Sequence, residues 1–290
     1  MKRVYIILSL SLCAISLSAQ HYFGISIGGL ATAQFDNVDK TSSNWGGGGE
    51  IGAIYHFISD KFLLQTGMGI GLNSTISAFK FDNTMFLSAN MTDTEGTPFT
   101  YKGEISNRLD RTTITELSVP LMAGYSFSLF YALAGAKFVY PITTTTCQTA
   151  ELTTYGDYGM FYEDFSNMPQ HGYVNNQSLK TIGRANFLCD LRLCLEFGGN
   201  LTLSEYDASQ LTIGLFAEYG LLNTLKEGNN NWIDVDYSQY VNVTMNHIYT
   251  TLSRAEAIVN NLRIGVRATL LLPIGGVEAK YNYLKKKHGL

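Results

Sequence analysis

The sequence predicts an all-β protein, an antiparallel up-and-down transmembrane β-barrel of eight strands with long extracellular loops. Three observations predict it. Of the 290 residues, 46% are hydrophobic and 28 are glycine, yet only 15% are charged, against about a quarter in ordinary soluble domains. No stretch after the N-terminus supplies the ~20 consecutive apolar residues that a membrane-spanning helix needs. Apolar and polar residues instead alternate with period two, in segment after segment long enough for the ~9–11 residues of a tilted membrane strand.

The first strand is "HYFGISIGGL" (21–30), with Phe23, Ile25 and Ile27 on one side. In "EIGAIYHF" (50–57), Ile51, Ala53, Tyr55 and Phe57 oppose Glu50 and His56. In "FLLQTGMGIGL" (62–72), Phe62, Leu64, Met68, Ile70 and Leu72 oppose Gln65 and glycines. "TTITELSVPLMAGYSF" (112–127) sets Leu117, Val119, Leu121, Tyr125 and Phe127 against Glu116 and Ser118. "FYALAGAKFVY" (130–140) sets Phe130, alanines and Phe138 against Lys137. "FLCDLRLCLEF" (187–197) has an unbroken apolar odd row, while Asp190, Arg192 and Glu196 lie on the even row. "LTIGLFAEYGL" (211–221) carries Glu218, and "LRIGVRATLLL" (262–272) carries Arg263 and Arg267. In this register the apolar rows contain no Asp, Glu, Lys or Arg. A water-facing row accepts such residues freely, whereas Lys or Arg near a bilayer midplane costs ~2–4 kcal/mol. The apolar rows are therefore read as facing lipid.

The connections alternate in length. Short ones fall at 59–60, at 128 and, of moderate length, at 198–209; long ones run across 34–48, 74–111, 141–186 and 222–261. From a periplasmic N-terminus this is the asymmetry of an outer-membrane barrel. Phe57, Phe62, Phe127, Phe130 and Phe197 near the turns, with Tyr140 and Phe187 near the loops, are expected to form interfacial girdles. Pro120, inside the fourth strand, removes a ladder hydrogen bond, so a bulge is expected there. "STISAFKFD" (74–82) and "VDYSQYVNVTM" (235–245) also alternate; they extend the strands or add a hairpin, which leaves ten strands as the alternative count.

The expected domains are a signal peptide (1–19), the barrel (20–273) and a basic periplasmic tail (274–290). Lys2 and Arg3 form the basic n-region, 4–15 the apolar h-region and 16–19 a small-residue cleavage zone. Loss of Lys2 and Arg3 takes the formal charge of −4 down by two, to −6, so nucleic acid is not an expected partner. Cys13 leaves with the signal. The three cysteines that remain form no CxxC, so neither a disulfide framework nor a metal site is suggested, with one bridge through Cys147 left open.

"TELSVPLMAGYSF" (115–127) followed by "LFYALAGAKFVY" (129–140) resembles the middle hairpin of the porin-like outer-membrane β-barrel family common in Bacteroidota. Leu117, Val119, Pro120, Leu121, Tyr125, Tyr131, Ala134 and Gly135 carry that resemblance, and "DKFLLQTGMGIG" (60–71) resembles the family's early strand. The resemblance implies an OmpA- or OmpX-like barrel of eight strands in which Pro120 is a normal feature. It implies no single activity.

Parity sends Glu50, His56, Gln65, Glu116, Lys137, Asp190, Arg192, Glu196, Glu218, Arg263 and Arg267 into the lumen. The interior of an eight-stranded barrel is just wide enough for side chains to fill it, and buried charges must pair. A salt-bridged network that closes the lumen is therefore expected, ahead of a narrow gated pore or a proton relay. Cys189 and Cys194 are five residues apart and point to opposite faces, so they share no ligand. His21, His56, His171, His247 and His288 are scattered and sit in no HExxH or nucleophile constellation. The expectation is no enzyme, no catalytic residues and no cofactor. In "TTYGDYGMFYEDF" (153–165), Tyr155, Asp157, Tyr158, Phe161 and Tyr162, together with Trp232, are candidate loop contacts for a partner. Expected partners are outer-membrane lipid, lipopolysaccharide and a protein engaged by the loops or the tail. The leading function is a structural or protein-interaction component, with a subunit of a secretion or uptake complex as its expected setting. A narrow diffusion channel is the alternative, and a lipid-modifying enzyme is third.

Overall fold

The computed structural model of the protein describes residues 20–37, 41–79, 84–93, 95–127, 129–159, 162–163, 173–203, 208–226, 228, 233–236, 242–252 and 257–274. The signal segment, the tail beyond Ile274, His171, His288, Phe161 and Trp232 lie outside these residues.

In chain order the strands are β1 (Gln20–Asp36), β2 (Thr41–Ser59), β3 (Phe62–Phe79), β4 (Met85–Thr92), β5 (Pro98–Phe127), β6 (Phe130–Asp157) and β7 (Tyr162–Glu163). They continue with β8 (Gln177–Arg184), β9 (Asp190–Thr202), β10 (Gln210–Gly220), β11 (Ile233–Asp236) and β12 (Asn242–Met245). A four-residue helix α1 (Ile248–Thr251) and β13 (Val259–Pro273) are the last of the described elements. Eight of the strands close a ring in the order β1–β2–β3–β5–β6–β9–β10–β13, with β13 paired back onto β1. All neighbours are antiparallel; Ile25, for example, sits opposite Ala53 on β2 and Leu270 on β13. Closure gives every ring strand a partner on each side. The fold is thus an up-and-down β-barrel of eight strands.

Alternation decides which side chains go where. On β9 the buried row is Asp190, Arg192, Cys194 and Glu196, while Leu191, Leu193, Leu195 and Phe197 face outward. Every ring strand contributes exposed apolar side chains to the same belt, among them Ile27 at 64%, Leu121 at 62% and Leu215 at 63% exposure. At the end with short turns, β2 and β3 join through Asp60 and Lys61, and Asp60 adopts the left-handed φ of 56° that a carboxylate-bearing turn residue tolerates. Aromatics gather at this end: Phe62 meets Tyr125 edge-on at 6.4 Å, and Phe130 stacks on Phe197 at 6.1 Å.

Several boundaries differ from the sequence-based expectation. The spans 74–111 and 141–186, expected as loops, are largely strand, and β5 and β6 reach 30 and 28 residues. At ~3.3 Å per residue they run far beyond the ~25 Å of an outer-membrane apolar band. Two one-residue bulges hid this continuity. On β5 the register with β6 shifts between Ser106 and Leu109, where Asn107 has a φ of 51°. The inward row accordingly changes from Tyr101, Gly103 and Ile105 to Arg108, Asp110 and Thr112. On β6 the extra residue is Ile142, between the pairs Glu116↔Pro141 and Thr115↔Thr143. An extra residue flips the facing of all that follows, so a single parity cannot be read through it.

No bulge forms at Pro120. Its pairing with Lys137 lies in a continuous register, and pairing with β3 lapses around it and resumes unshifted from Gly69↔Ser118 to Thr66↔Leu121. The moderate turn expected to start at Gly198 starts after Thr202. The sixth strand begins at Asp190 rather than Phe187, because Leu188 donates its N–H to Thr224 O at 2.8 Å and Phe187 bridges to Leu225. The extra alternating segment 235–245 makes no ninth or tenth ring strand; its described ends form the separate β11–β12 hairpin.

Beyond the belt, β4 pairs with β5 and β8 with β6, forming a headpiece continuous with the barrel wall. Its core is apolar: Leu87, Tyr101, Ile105, Ala150, Leu152, Tyr173, Val243 and Met245. Between headpiece and belt, α1 sits in the barrel mouth in a second cluster of Ile248, Tyr249, Leu225, Ala257 and Val259.

Candidate functional site: the charged interior

At belt level the interior is a stack of ion pairs. Glu116 on β5 is gripped by two guanidinium groups. Arg192 of β9 donates to both of its oxygens at 2.8 and 2.9 Å, and Arg263 of β13 donates to both as well, with Nη2 at 2.7 Å. Arg192 also donates from Nε to Asp190 at 3.0 Å. With its amide oxygen turned toward the guanidinium, Asn73 accepts from Arg263 at 2.8 and 3.1 Å. Fork-to-carboxylate geometry of this kind is the strong form of the interaction.

One layer toward the short turns, Arg267 serves three carboxylates. It donates to Glu50 from Nε at 2.9 Å, pairs with Glu196 and lies 3.5 Å from Glu218. Lys137 bridges Glu218 and Glu50, the latter at 3.2 Å. The guanidinium of Arg267 rests 4.4 Å from the centre of the Phe216 ring, a cation–π contact strengthened by desolvation. Tyr131 crosses from β6 over its neighbour β9 toward β10, along the inner wall, and donates its hydroxyl to Glu196 at 2.7 Å. Gly214 makes that crossing possible, since a Cβ there would stand 2.4 Å from the Tyr131 oxygen. His56 and Gln65 form their own pair at 2.7 Å, with Gln65 packed on Met122.

All the lumen candidates named from sequence are thus gathered inside, and nine of them form one connected network: Glu50, Glu116, Asp190, Glu196, Glu218, Lys137, Arg192, Arg263 and Arg267. Apart from Glu50, these side chains are at most 5% exposed. A half-open pocket of about 20 Å³ borders Glu50, Lys137 and Arg267, room for about one water.

Sequence reasoning missed the closure above this network. Arg108 and Asp110, assigned to a loop, point inward past the Asn107 bulge and pair through two bonds of 2.9 and 3.0 Å. Asp110 accepts the Ile248 N–H at 2.8 Å, and Arg108 donates to the Asn246 carbonyl. His247 caps α1: its Nδ1 accepts the Tyr249 N–H at 3.1 Å, so its proton sits on Nε2, 2.9 Å from the Thr112 hydroxyl. Burial pushes its pKa down to about 4, with Asp110 opposing and Arg108 assisting that shift. Tyr249 reaches Asp36 and Ser77, each at 3.2 Å, and burial raises its phenol above the ordinary range. The signal available in the sequence was "RLDR" (108–111), a polar pair with period two whose strand the bulge disguised.

Of the loop-contact candidates, Tyr155 and Asp157 belong to the outer end of β6, not to a loop. Asp157 pairs with Lys102 at 2.6 Å, and Tyr158 stacks on Phe99 at 5.0 Å. Tyr162 lies on β7. Phe187, expected outside in a girdle, instead packs edge-on against Tyr249 at 5.8 Å. Cys147, Cys189 and Cys194 are free, so the bridge left open for Cys147 is not formed. Cys194 is buried inside and Cys189 precedes β9, half-buried. Among the described residues, no group of three or more His, Cys, Asp or Glu side chains is placed to hold a metal ion.

No protein-family model matches this chain, and no match is found among curated protein sequences. Solved structures that are similar include Ail, the attachment invasion locus protein of Yersinia pestis (11% identity, TM-score 0.30, 86% of this chain and 99% of that one). Neisserial surface protein A matches at 8% identity and TM-score 0.26 over 84% of this chain and 95% of its own. The outer membrane protease OmpT from Escherichia coli matches at 7% and 0.27 over 88% and 96%.

Proposed function

We propose that this chain is an integral outer-membrane barrel whose lumen is closed, acting as a structural or protein-interaction component through its headpiece. The observation that carries the reading is the nine-residue ion-pair network buried inside a belt whose outer face is apolar. In water, an exposed belt of Ile, Leu, Phe and Val around the whole ring would aggregate; in lipid it is the required surface. A lumen crossed by Glu116 with two arginines, and by Arg267 with three carboxylates, leaves the strands as scaffold and the headpiece as the part that meets the outside. The headpiece carries large exposed apolar side chains above the belt, notably Phe86 at 73% and Ile182 at 66%. Such side chains suit a protein partner.

The finer reading places the chain near the porin-like barrels of Bacteroidota. Its support is that the residues carrying the resemblance fall on the single β5–β6 hairpin, with Pro120 opposite Lys137 and Tyr125 opposite Ala132. Residues 1–19 serve as the cleaved signal and 274–290 as the periplasmic tail in this reading.

Photocrosslinkers placed at Phe86 and at Ile182 in intact cells test the interaction role. A discrete heteromeric adduct that recurs at both positions is the expected result. Monomer alone at both, with the barrel recovered folded from the outer membrane, would overturn it.

A further inference from the structure

The barrel wall has a lateral gap. On the side of β6 that faces β8 and β9, the ladder stops at Val139↔Asp190 and resumes at Thr145↔Arg184. The chain between β8 and β9 has turned away to bond with 224–225. The gap opens into a cleft of about 590 Å³, lined on one edge by Tyr140–Thr145 and on the other by residues around Arg184 and Lys226. Both cations are exposed, and among the described residues neither is drawn into an ion pair.

The height of this cleft follows from the outward row of β6. Phe138, Tyr140 and Ile142 are its last exposed apolar residues, and Thr143 and Thr145 begin its polar stretch. On the neighbouring β5, Arg111 is the first exposed outward charge. The cleft therefore straddles the boundary where acyl chains give way to headgroups. Backbone without strand partners is tolerated at the edge of a bilayer only where polar matter satisfies it. Here the polar matter also faces two exposed cations, Arg184 and Lys226, neither of them in an ion pair among the described residues. A planar guanidinium and an ammonium on one edge, facing the threonine edge of the same cleft, match a phosphate, with Ile142 on the apolar side of the rim.

We propose that this cleft between β6 and β9 binds the phosphorylated headgroup of an outer-leaflet lipid, with Arg184 and Lys226 as its phosphate ligands. The inference rests on the membrane reading above and assigns the lipid contact to one side of the barrel.

The full chain, reconstituted in lipid nanodiscs, tests it by titration with diphosphoryl lipid A. Saturable binding is expected, weakened about tenfold or more in the R184Q/K226Q double variant, which loses both charge-assisted contacts. Dephosphorylated lipid A should bind the native chain no better than diphosphoryl lipid A binds the double variant. K61Q, a charge removed at the opposite end of the barrel, should leave affinity unchanged. Equal affinity of native chain and double variant would overturn the proposal. Displacement of the lipid by millimolar inorganic phosphate would assign the cleft to a free anion and overturn it too. A chain that fails to enter nanodiscs as a heat-modifiable barrel would instead overturn the membrane reading and, with it, the inference.

Discussion

The belt half and the headpiece half of this barrel are built from the same strands with opposite fillings. At belt level the outside is apolar and the inside holds Glu116, Arg192, Arg263, Arg267 and their partners. In the headpiece the inside is Leu87, Tyr101, Ile105, Leu152 and Met245. The change occurs along single strands: β5 carries Tyr101 and Ile105 inward before the Asn107 bulge, then Arg108, Asp110 and Glu116 after it. The comparison teaches that solvent, not strand identity, sets the filling. Where water lies outside, apolar burial drives folding, as in any soluble core. Where lipid lies outside, burying more apolar surface gains little, and ion pairs that satisfy one another supply the interior specificity.

The largest effect should come from breaking the belt interior. Glu116→Gln leaves Arg192 and Arg263 facing each other without their carboxylate, which should cost ~3–5 kcal/mol. Urea unfolding of the detergent-folded barrel measures it, and a loss under ~1 kcal/mol would mean the network is not what holds the interior.

Next comes the outer face. Leu215→Arg, on the exposed row of β10, should cost ~2–4 kcal/mol in a bilayer. The same change at the equally exposed Ile182 of the headpiece should stay within about 0.5 kcal/mol. Equal costs at the two sites would erase the distinction between a lipid-facing belt and a water-facing headpiece.

Smaller still is the seam between the halves. Tyr249→Phe removes the hydroxyl shared with Asp36 and Ser77, a loss of ~1 kcal/mol. Hydrogen exchange of 246–252 should quicken while the belt strands stay protected. Uniform quickening throughout the barrel would show that the mouth segment and the belt open together.

The smallest effect is a pH dependence of the same segment. His247 has a folded pKa of about 4 against an ordinary 6.5, so it is neutral in the mouth and takes up a proton more readily when released. Its stabilisation is complete above pH 6.5 and declines as pH falls toward 4, below which the decline levels off. Exchange of 246–252 should therefore rise across that window in the native chain and stay flat in His247→Gln. An unchanged rise in the variant would assign the titration to another group.

Much of the belt was legible in the sequence because its two rows differ in kind: Leu191, Leu193 and Leu195 against Asp190, Arg192 and Glu196 obey strict parity over short segments. The headpiece was not legible for two physical reasons. The extra residues at Asn107 and Ile142 flip the parity, so 98–111 and 143–157 read as loops although they continue β5 and β6. And 185–189 leaves the wall for long-range bonds to 224–225, which put Phe187 in the mouth cluster instead of the girdle. The mouth closure by Asp110, His247 and Tyr249 joins residues more than a hundred positions apart, and no local pattern announces such a contact. Pro120 shows the converse, since a residue that signals a break locally is carried by the ring without any shift in register.

The central claim is that the ion-pair network shuts the lumen, and single-channel recording of the purified barrel in a planar bilayer tests it most directly. The native chain should insert and show no steady conductance at any voltage. A stable ohmic conductance in the native chain, altered when Glu116 or Arg263 is neutralised, would show an open path through those charges and contradict the claim.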